Sequence, residues 1–201
     1  MRGWWIATVT LGGCSGPATP ERSPPVSAAS GVRLEAPLGG VSIRTPAGWV
    51  GSESGTQGRW AADFGPASGS CQGHVQVEPA AAEDPARAAH EARRLVCAAD
   101  SCEVHQDEPV LYNRKSGWRW EIRHDARRIM TRYTAVVRVE PQTGQRWSIS
   151  VKASSRDDDY VTQRRCLDQI TAAVSVASGG DAGRQGREDP VPRRGPQSSP
   201  R

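Results

Sequence analysis

The chain has 201 residues, enough for one domain of ordinary size with tails and too few for two comfortable ones. Its 26 basic and 22 acidic side chains give a formal net charge of +4, and that surplus sits at the ends. Residues 30–177 hold 19 basic and 18 acidic groups, a near-neutral balance that argues against a dedicated nucleic-acid binder, and no apolar run reaches the about 20 residues of a membrane-spanning helix.

At the N-terminus, Arg2 precedes the apolar stretch Trp4-Trp5-Ile6-Ala7-Thr8-Val9-Thr10-Leu11, which has the length of a signal-peptide core and stops at Gly12-Gly13-Cys14-Ser15. Leu11-Gly12-Gly13-Cys14 resembles the bacterial lipobox, in which the cysteine thiol is alkylated by diacylglycerol and becomes the first residue after cleavage. The resemblance implies a lipoprotein signal peptide over 1–13 and lipidation at Cys14. Residues 14–30, dominated from Pro17 onward by Pro, Ser, Ala and Thr, read as an extended tether. Two acyl chains anchor stably, because each buried methylene adds ~0.8 kcal/mol. The expected location is the extracytoplasmic side of the cell membrane, with the bilayer engaged through the N-terminal lipid. Residues 178–201, rich in Gly, Pro and Arg, are expected to be a disordered tail.

Setting Cys14 aside leaves Cys71, Cys97, Cys102 and Cys166, an even number that in an exported domain reads as two disulfides with three possible pairings. If Cys97 and Cys102 close a short loop at a helix end, Cys71 pairs with Cys166 and ties an early strand to the last helix. A zinc site is disfavoured, since no Cys-x-x-Cys pair places two thiolates on one metal.

Gly40 to Pro46 alternates and breaks at Pro46-Ala47-Gly48-Trp49, a strand entering a turn. Arg59–Phe64 and Cys71–Glu78 follow as strands. Asp84-Pro85 is a helix start with a carboxylate cap and proline at the first helical position, and Ala88, Ala92, Leu95 and Val96 form the expected buried stripe up to Cys97. Strands are expected at about 103–113, 117–125, 128–139 and 145–154, with turns at Lys115-Ser116-Gly117 and Gln142-Thr143-Gly144. A last helix begins near Asp157-Asp158-Asp159, where carboxylates suit the positive end of the helix dipole, and buries Val161, Leu167, Ile170 and Val174. The fold class is therefore α+β, an antiparallel sheet of six to seven strands packed with two main helices.

Two helices are too few to cover both faces of such a sheet. The parity of the strands puts Trp118, Trp120, Ile122, Ile129, Tyr133, Ala135, Val137, Trp147, Ile149 and Val151 on one apolar face. The other parity carries Arg119, Arg123, Arg132 and Arg138, expected to form a solvated arginine face and a candidate surface for an anionic ligand or an envelope protein.

The segment Val41-Ser42-Ile43-Arg44-Thr45-Pro46-Ala47-Gly48-Trp49 resembles the strand, Pro, Gly, Trp opening of the PsbP-like superfamily, which includes actinobacterial envelope lipoproteins of the LpqN type. The order of elements over about residues 31–177 is also similar. The resemblance implies an antiparallel sheet flanked by helices and a binding or accessory role in the cell envelope, without catalytic activity.

Reactive constellations are not evident. His90-Glu91 lacks a second histidine at the spacing of a zinc protease, with Arg94 in its place. Gly65-Pro66-Ala67-Ser68-Gly69 sets its serine one position late for a nucleophile elbow. His74, His90, His105 and His124 fall in separate elements. No metal, cofactor or catalytic residue is expected. The rival reading is an envelope hydrolase whose polar groups meet only in the fold, and a Ser or Asp clustered with His74 or His124 at a pocket would favour it.

Overall fold

A computed structural model describes residues 26–27, 30–56, 58–80, 84–98, 102–124, 128–156 and 158–177. The leader over 1–13, Cys14, nearly all of the tether and the tail over 178–201 lie outside these residues.

Eleven strands and two helices follow in the order β1 (Val26–Ser27), β2 (Arg33–Glu35), β3 (Val41–Arg44), β4 (Trp49–Thr56), β5 (Arg59–Pro66), β6 (Cys71–Pro79), α1 (Pro85–Cys97), β7 (Glu103–Tyr112), β8 (Lys115–His124), β9 (Ile129–Val139), β10 (Arg146–Arg156), α2 (Tyr160–Ala173) and β11 (Val174–Val176). Seven long strands and the two-residue β1 form one antiparallel sheet in the order β1-β4-β5-β6-β10-β9-β8-β7, and β11-β3-β2 form a second, small antiparallel sheet. The fold is α+β.

Local chemistry accounts for the boundaries. Asp84 caps α1 by accepting from the Ala86 amide at 2.9 Å, with Pro85 at the first helical position. Asp159 caps α2 by accepting from the amide and the hydroxyl of Thr162 at 2.9 and 2.7 Å. The β7–β8 turn is Asn113-Arg114, both at positive φ (49° and 63°), the backbone a two-residue hairpin needs. The turn thus precedes Lys115 rather than following it, because Asn tolerates the left-handed region and relieves the chain of any need for the later glycine.

Four strands go beyond the sequence expectation: β2, β4 and β11, and β1, whose Val26 and Ser27 pair with β4 inside the segment read as a tether. Two helix positions also differ from expectation. Leu95 is 63% exposed and Val161 is 71% exposed, while the apolar side of α1 runs through Ala88, Ala89, Ala92 and Val96. Val174 leaves the helix: with ψ of 128° it is already extended and begins β11.

The larger correction concerns the sheet faces. Val139 pairs with Arg146 across the β9–β10 turn, so odd positions of β9 lie beside even positions of β10. Trp147, Ile149 and Val151 therefore share a face with Arg138, Val136 and Thr134, and through β8 with Arg119, Glu121 and Arg123. A one-residue difference in assumed register moves every side chain of a strand to the opposite face. That face carries the main core, filled by Trp60, Phe64, Val75, Val77, Ile149 and Val151 under α2 (Leu167, Ile170) and the small sheet (Leu34, Ile43, Val176). The arginine side is not a solvated surface: Arg132 and Arg138 are 4% and 6% exposed. Among the described residues the opposite face is covered at one end, where α1 seats Ala89 on Trp120, Ile122 and Ala135.

Both pairs of cysteines are bridged. Cys71 of β6 joins Cys166 of α2, with Cα atoms 5.8 Å apart, and Cys97 at the end of α1 joins Cys102 at the start of β7.

Candidate functional site

On the face that α1 leaves open, cross-strand pairing lines up four polar residues from neighbouring strands: Ser52 of β4 opposite Asp63 of β5, Asp63 opposite His74 of β6, and His74 opposite Lys152 of β10. The strands alternate, so this row of even and odd positions is the outward partner of the buried row Gly51, Phe64, Gly73 and Ala153. Above it lies a cleft of about 640 Å³ that also takes in Gln72 and Ser154. A second hollow of about 370 Å³ shares Gln72, Lys152 and Ser154 and continues the groove to His124 and Arg156.

Asp63 Oδ1 and His74 Nδ1 are 2.7 Å apart, with both side chains about half exposed. That contact fixes the imidazole and leaves Nε2 as the nitrogen available to a ligand. Lys152, across the strand, has no carboxylate within ion-pair distance among the described residues. The groove thus offers an ammonium, an oriented imidazole, a carboxylate and amide and hydroxyl groups on a rigid sheet. Sequence reasoning missed it because His74 and Asp63 are eleven residues apart. Their positions on either side of the Pro66–Cys71 turn were the available signal, once a register is assigned to that hairpin.

The four expected arginines lie on the opposite face of the sheet. Arg119, Arg123, Arg132 and Arg138 do share a face, as their parity requires, but within a packed layer. Arg132 donates from Nε to Glu121 Oε2 at 2.9 Å and from Nη1 to Asp168 Oδ1 at 2.6 Å. Glu121 is wholly buried, and a terminal nitrogen of Arg164 lies 3.2 Å from its Oε1. Arg138 lies 3.4 Å from Glu140, and Arg123 is half buried beside Met130. Tyr112 directs its hydroxyl at the carbonyls of Thr171 and Val174 (2.9 and 3.0 Å), adding a side-chain donor at the end of α2 where the Val174 amide already donates to Thr171, and burial pushes its phenol pKa up.

The tryptophans are structural. Trp120 is fully buried, stacks on Tyr133 at 5.1 Å and donates to the Ala89 carbonyl at 2.8 Å. Trp118 donates to Asp107, which also pairs with Arg93 and lies 3.5 Å from His90. These contacts pin α1 to the sheet and absorb His90 and Asp107. His105 lies 3.7 Å from Glu103, and His124 has Nδ1 3.6 Å from the sulfur of Cys102. Among the described residues no group of three or more metal-ligating side chains converges.

The main sheet, its two helices and the small sheet together reproduce a known architecture. The structure matches cyanobacterial PsbP (CyanoP) from Synechocystis sp. PCC 6803 with a TM-score of 0.54 and 17% identity, over 83% of this chain and 99% of that one. The chain has the PsbP-like fold. LpqN, described as involved in cell envelope biogenesis of Mycobacterium tuberculosis, matches with a TM-score of 0.45 and 12% identity, over 79% of this chain and 92% of that one. By sequence, no family profile and no curated protein matches. The resemblance is therefore one of fold.

Proposed function

We propose that the chain is a lipid-anchored, extracytoplasmic binding or accessory protein of the cell envelope, without catalytic activity, which holds its ligand in the open groove over Asp63, His74 and Lys152. The observation that carries this reading is the pairing of all four domain cysteines as Cys71–Cys166 and Cys97–Cys102, bonds that form and persist in oxidising compartments. The lipobox-like Leu11-Gly12-Gly13-Cys14 supplies the route of export and the anchor. No helix among the described residues is long and apolar enough to cross a membrane, and the diacyl group takes that part.

Mass spectrometry of the intact protein extracted from its own membranes tests this directly. The expected product begins at Cys14, carries diacylglycerol and contains no free thiol. A product that keeps Met1, fractionates with the soluble extract and has four reactive domain thiols refutes the proposal.

One observation favours a second reading, an envelope hydrolase. A histidine held through Nδ1 by a carboxylate is the base half of a nucleophilic site, and Asp63–His74 has that form at the cleft of about 640 Å³. Among the described residues, however, Asp63 is the one hydrogen-bond partner of His74. Steady turnover of ester or amide substrates that His74→Gln abolishes would establish the hydrolase and remove the non-catalytic reading.

A further inference from the structure

Arg119 differs from the other guanidiniums beneath α2. Its described hydrogen bond runs from Nε to Thr134 Oγ1 at 3.3 Å, and among the described residues it has no carboxylate within ion-pair distance. Arg132 has two acidic partners and Arg164 has one. Glu108 faces Arg119 across the strand without forming an ion pair, and Glu121 and Asp168 act on it from beyond ion-pair distance. The guanidinium is not in open water either. Burial, and then the neighbouring Arg132 cation, push its pKa down from the ordinary value.

The position of that charge is a cleft. A hollow of about 310 Å³ lies between the β7–β8 turn and the C-terminal end of α2, lined by Asn113, Arg119, Arg132, Asp168 and Ser175 among others. Asn113 places its side-chain amide there, donating to the Val174 carbonyl at 3.3 Å beside the Tyr112 hydroxyl. The turn is held in the left-handed region at Asn113 and Arg114, so the amide is presented by a fixed backbone. A planar guanidinium fork beside an amide matches an anion with two oxygen acceptors.

We propose that this cleft is a carboxylate-binding site in which the Arg119 guanidinium supplies the charged fork and Asn113 a neutral donor. Asp168 in the lining and Glu108 across the strand oppose a second negative charge, which favours a carboxylate over a phosphate dianion. The site lies on the opposite side of the sheet from the Asp63–His74 groove, so its existence does not depend on what that groove binds.

The test is a nuclear magnetic resonance titration of the purified chain with sodium acetate at constant ionic strength, following the Arg119 Nε–H and the Asn113 side-chain amide. Saturable shifts at both groups are expected. Arg119→Gln should weaken acetate binding by about tenfold or more, the loss of charge-assisted hydrogen bonds. Arg119→Lys, which keeps the charge and the fold but loses the fork, should also weaken it, and Lys152→Gln on the other face should leave it unchanged. Shifts that are linear and equal at all arginines overturn the proposal. Inorganic phosphate that displaces acetate with higher affinity overturns the assignment to a carboxylate. Should Arg119→Gln fail to fold, the wild-type titration and Arg119→Lys decide the matter.

Discussion

Removing the Cys71–Cys166 bridge is the most informative perturbation of this fold. It joins residues 95 apart in sequence, and the chain between them includes α1 and the strands β7 to β10. The chain-entropy treatment assigns about 4.7 kcal/mol to closing a loop of roughly 100 residues, whereas the loop of Cys97–Cys102, with a separation of 5, gives about 2.2 kcal/mol. The two bonds also differ in setting. Cys71 and Cys166 are both buried in the main core, while the second bridge ties the end of α1 to the start of β7 at the periphery. Replacing Cys71 and Cys166 by alanine also deletes two buried sulfur atoms, so the contrast should widen rather than narrow. The assay is urea unfolding of Cys71→Ala/Cys166→Ala and Cys97→Ala/Cys102→Ala beside the parent, with midpoints and slopes fitted together. The first pair should lose about twice as much stability as the second, and reduction of the parent should move it toward the sum of the two. If the peripheral pair matters as much as the buried one, loop entropy is not what these bridges supply, and the reasoning fails.

Three further outcomes follow from the packing. Glu121→Gln leaves Arg132 buried with the exposed Asp168 as its remaining acidic partner and should destabilise by about 3–5 kcal/mol in the same urea assay, whereas Glu121→Met/Arg132→Met should recover much of that loss. A side-chain methyl at Gly73 would meet Phe64 at 2.6 Å and Ile170 at 2.8 Å, so Gly73→Ala should cost about 1–3 kcal/mol, with partial relief in a Phe64→Leu background. Hydrogen bonds from the hydroxyl and amide of Thr162 hold the Asp159 carboxyl below its ordinary pKa. Its cap is therefore complete above the unfolded value of about 3.9 and lost as pH falls through the depressed folded value. Asp159→Asn keeps the cap but cannot titrate, so the fall in melting temperature below about pH 4 should be shallower in this variant, and an unchanged slope would remove Asp159 from the acid transition.

The residues that state their own geometry were readable. Asp84-Pro85 and the carboxylates before Tyr160 mark two helix starts, because capping is decided within one turn. The long strands β7 to β10 show themselves through length and β-branched or aromatic content. The short strands β2 and β11 do not, since three residues contain no period and their pairing with β3 is set by distant contacts. Leu95 and Val161 illustrate the same limit on helices. Each is an apolar residue at an arguable spacing, yet the buried arc of its helix is centred elsewhere by the sheet beneath it.

The arginine layer shows where alternation alone misleads. An apolar and polar alternation reads as one dry face and one wet face only if the polar side has nothing above it. In β9, apolar residues occupy both parities: Met130 and Val136 beside Arg132, and Tyr133 and Ala135 on the other side. A strand apolar on both faces is a strand covered on both faces, and an arginine inside such a strand must bring its own counter-charge. Arg132 does so through Glu121, its cross-strand partner, and through Asp168 above it. Applied to β8, the same rule makes Arg119 the exception: its neighbours are Thr134 across one edge and Glu108 across the other, and of the two only Thr134 reaches its side chain. Among the described residues Arg119 has no acid within ion-pair distance, and it reaches the cleft proposed above as a carboxylate site, which places that proposal at the end of the layer rather than along the whole face.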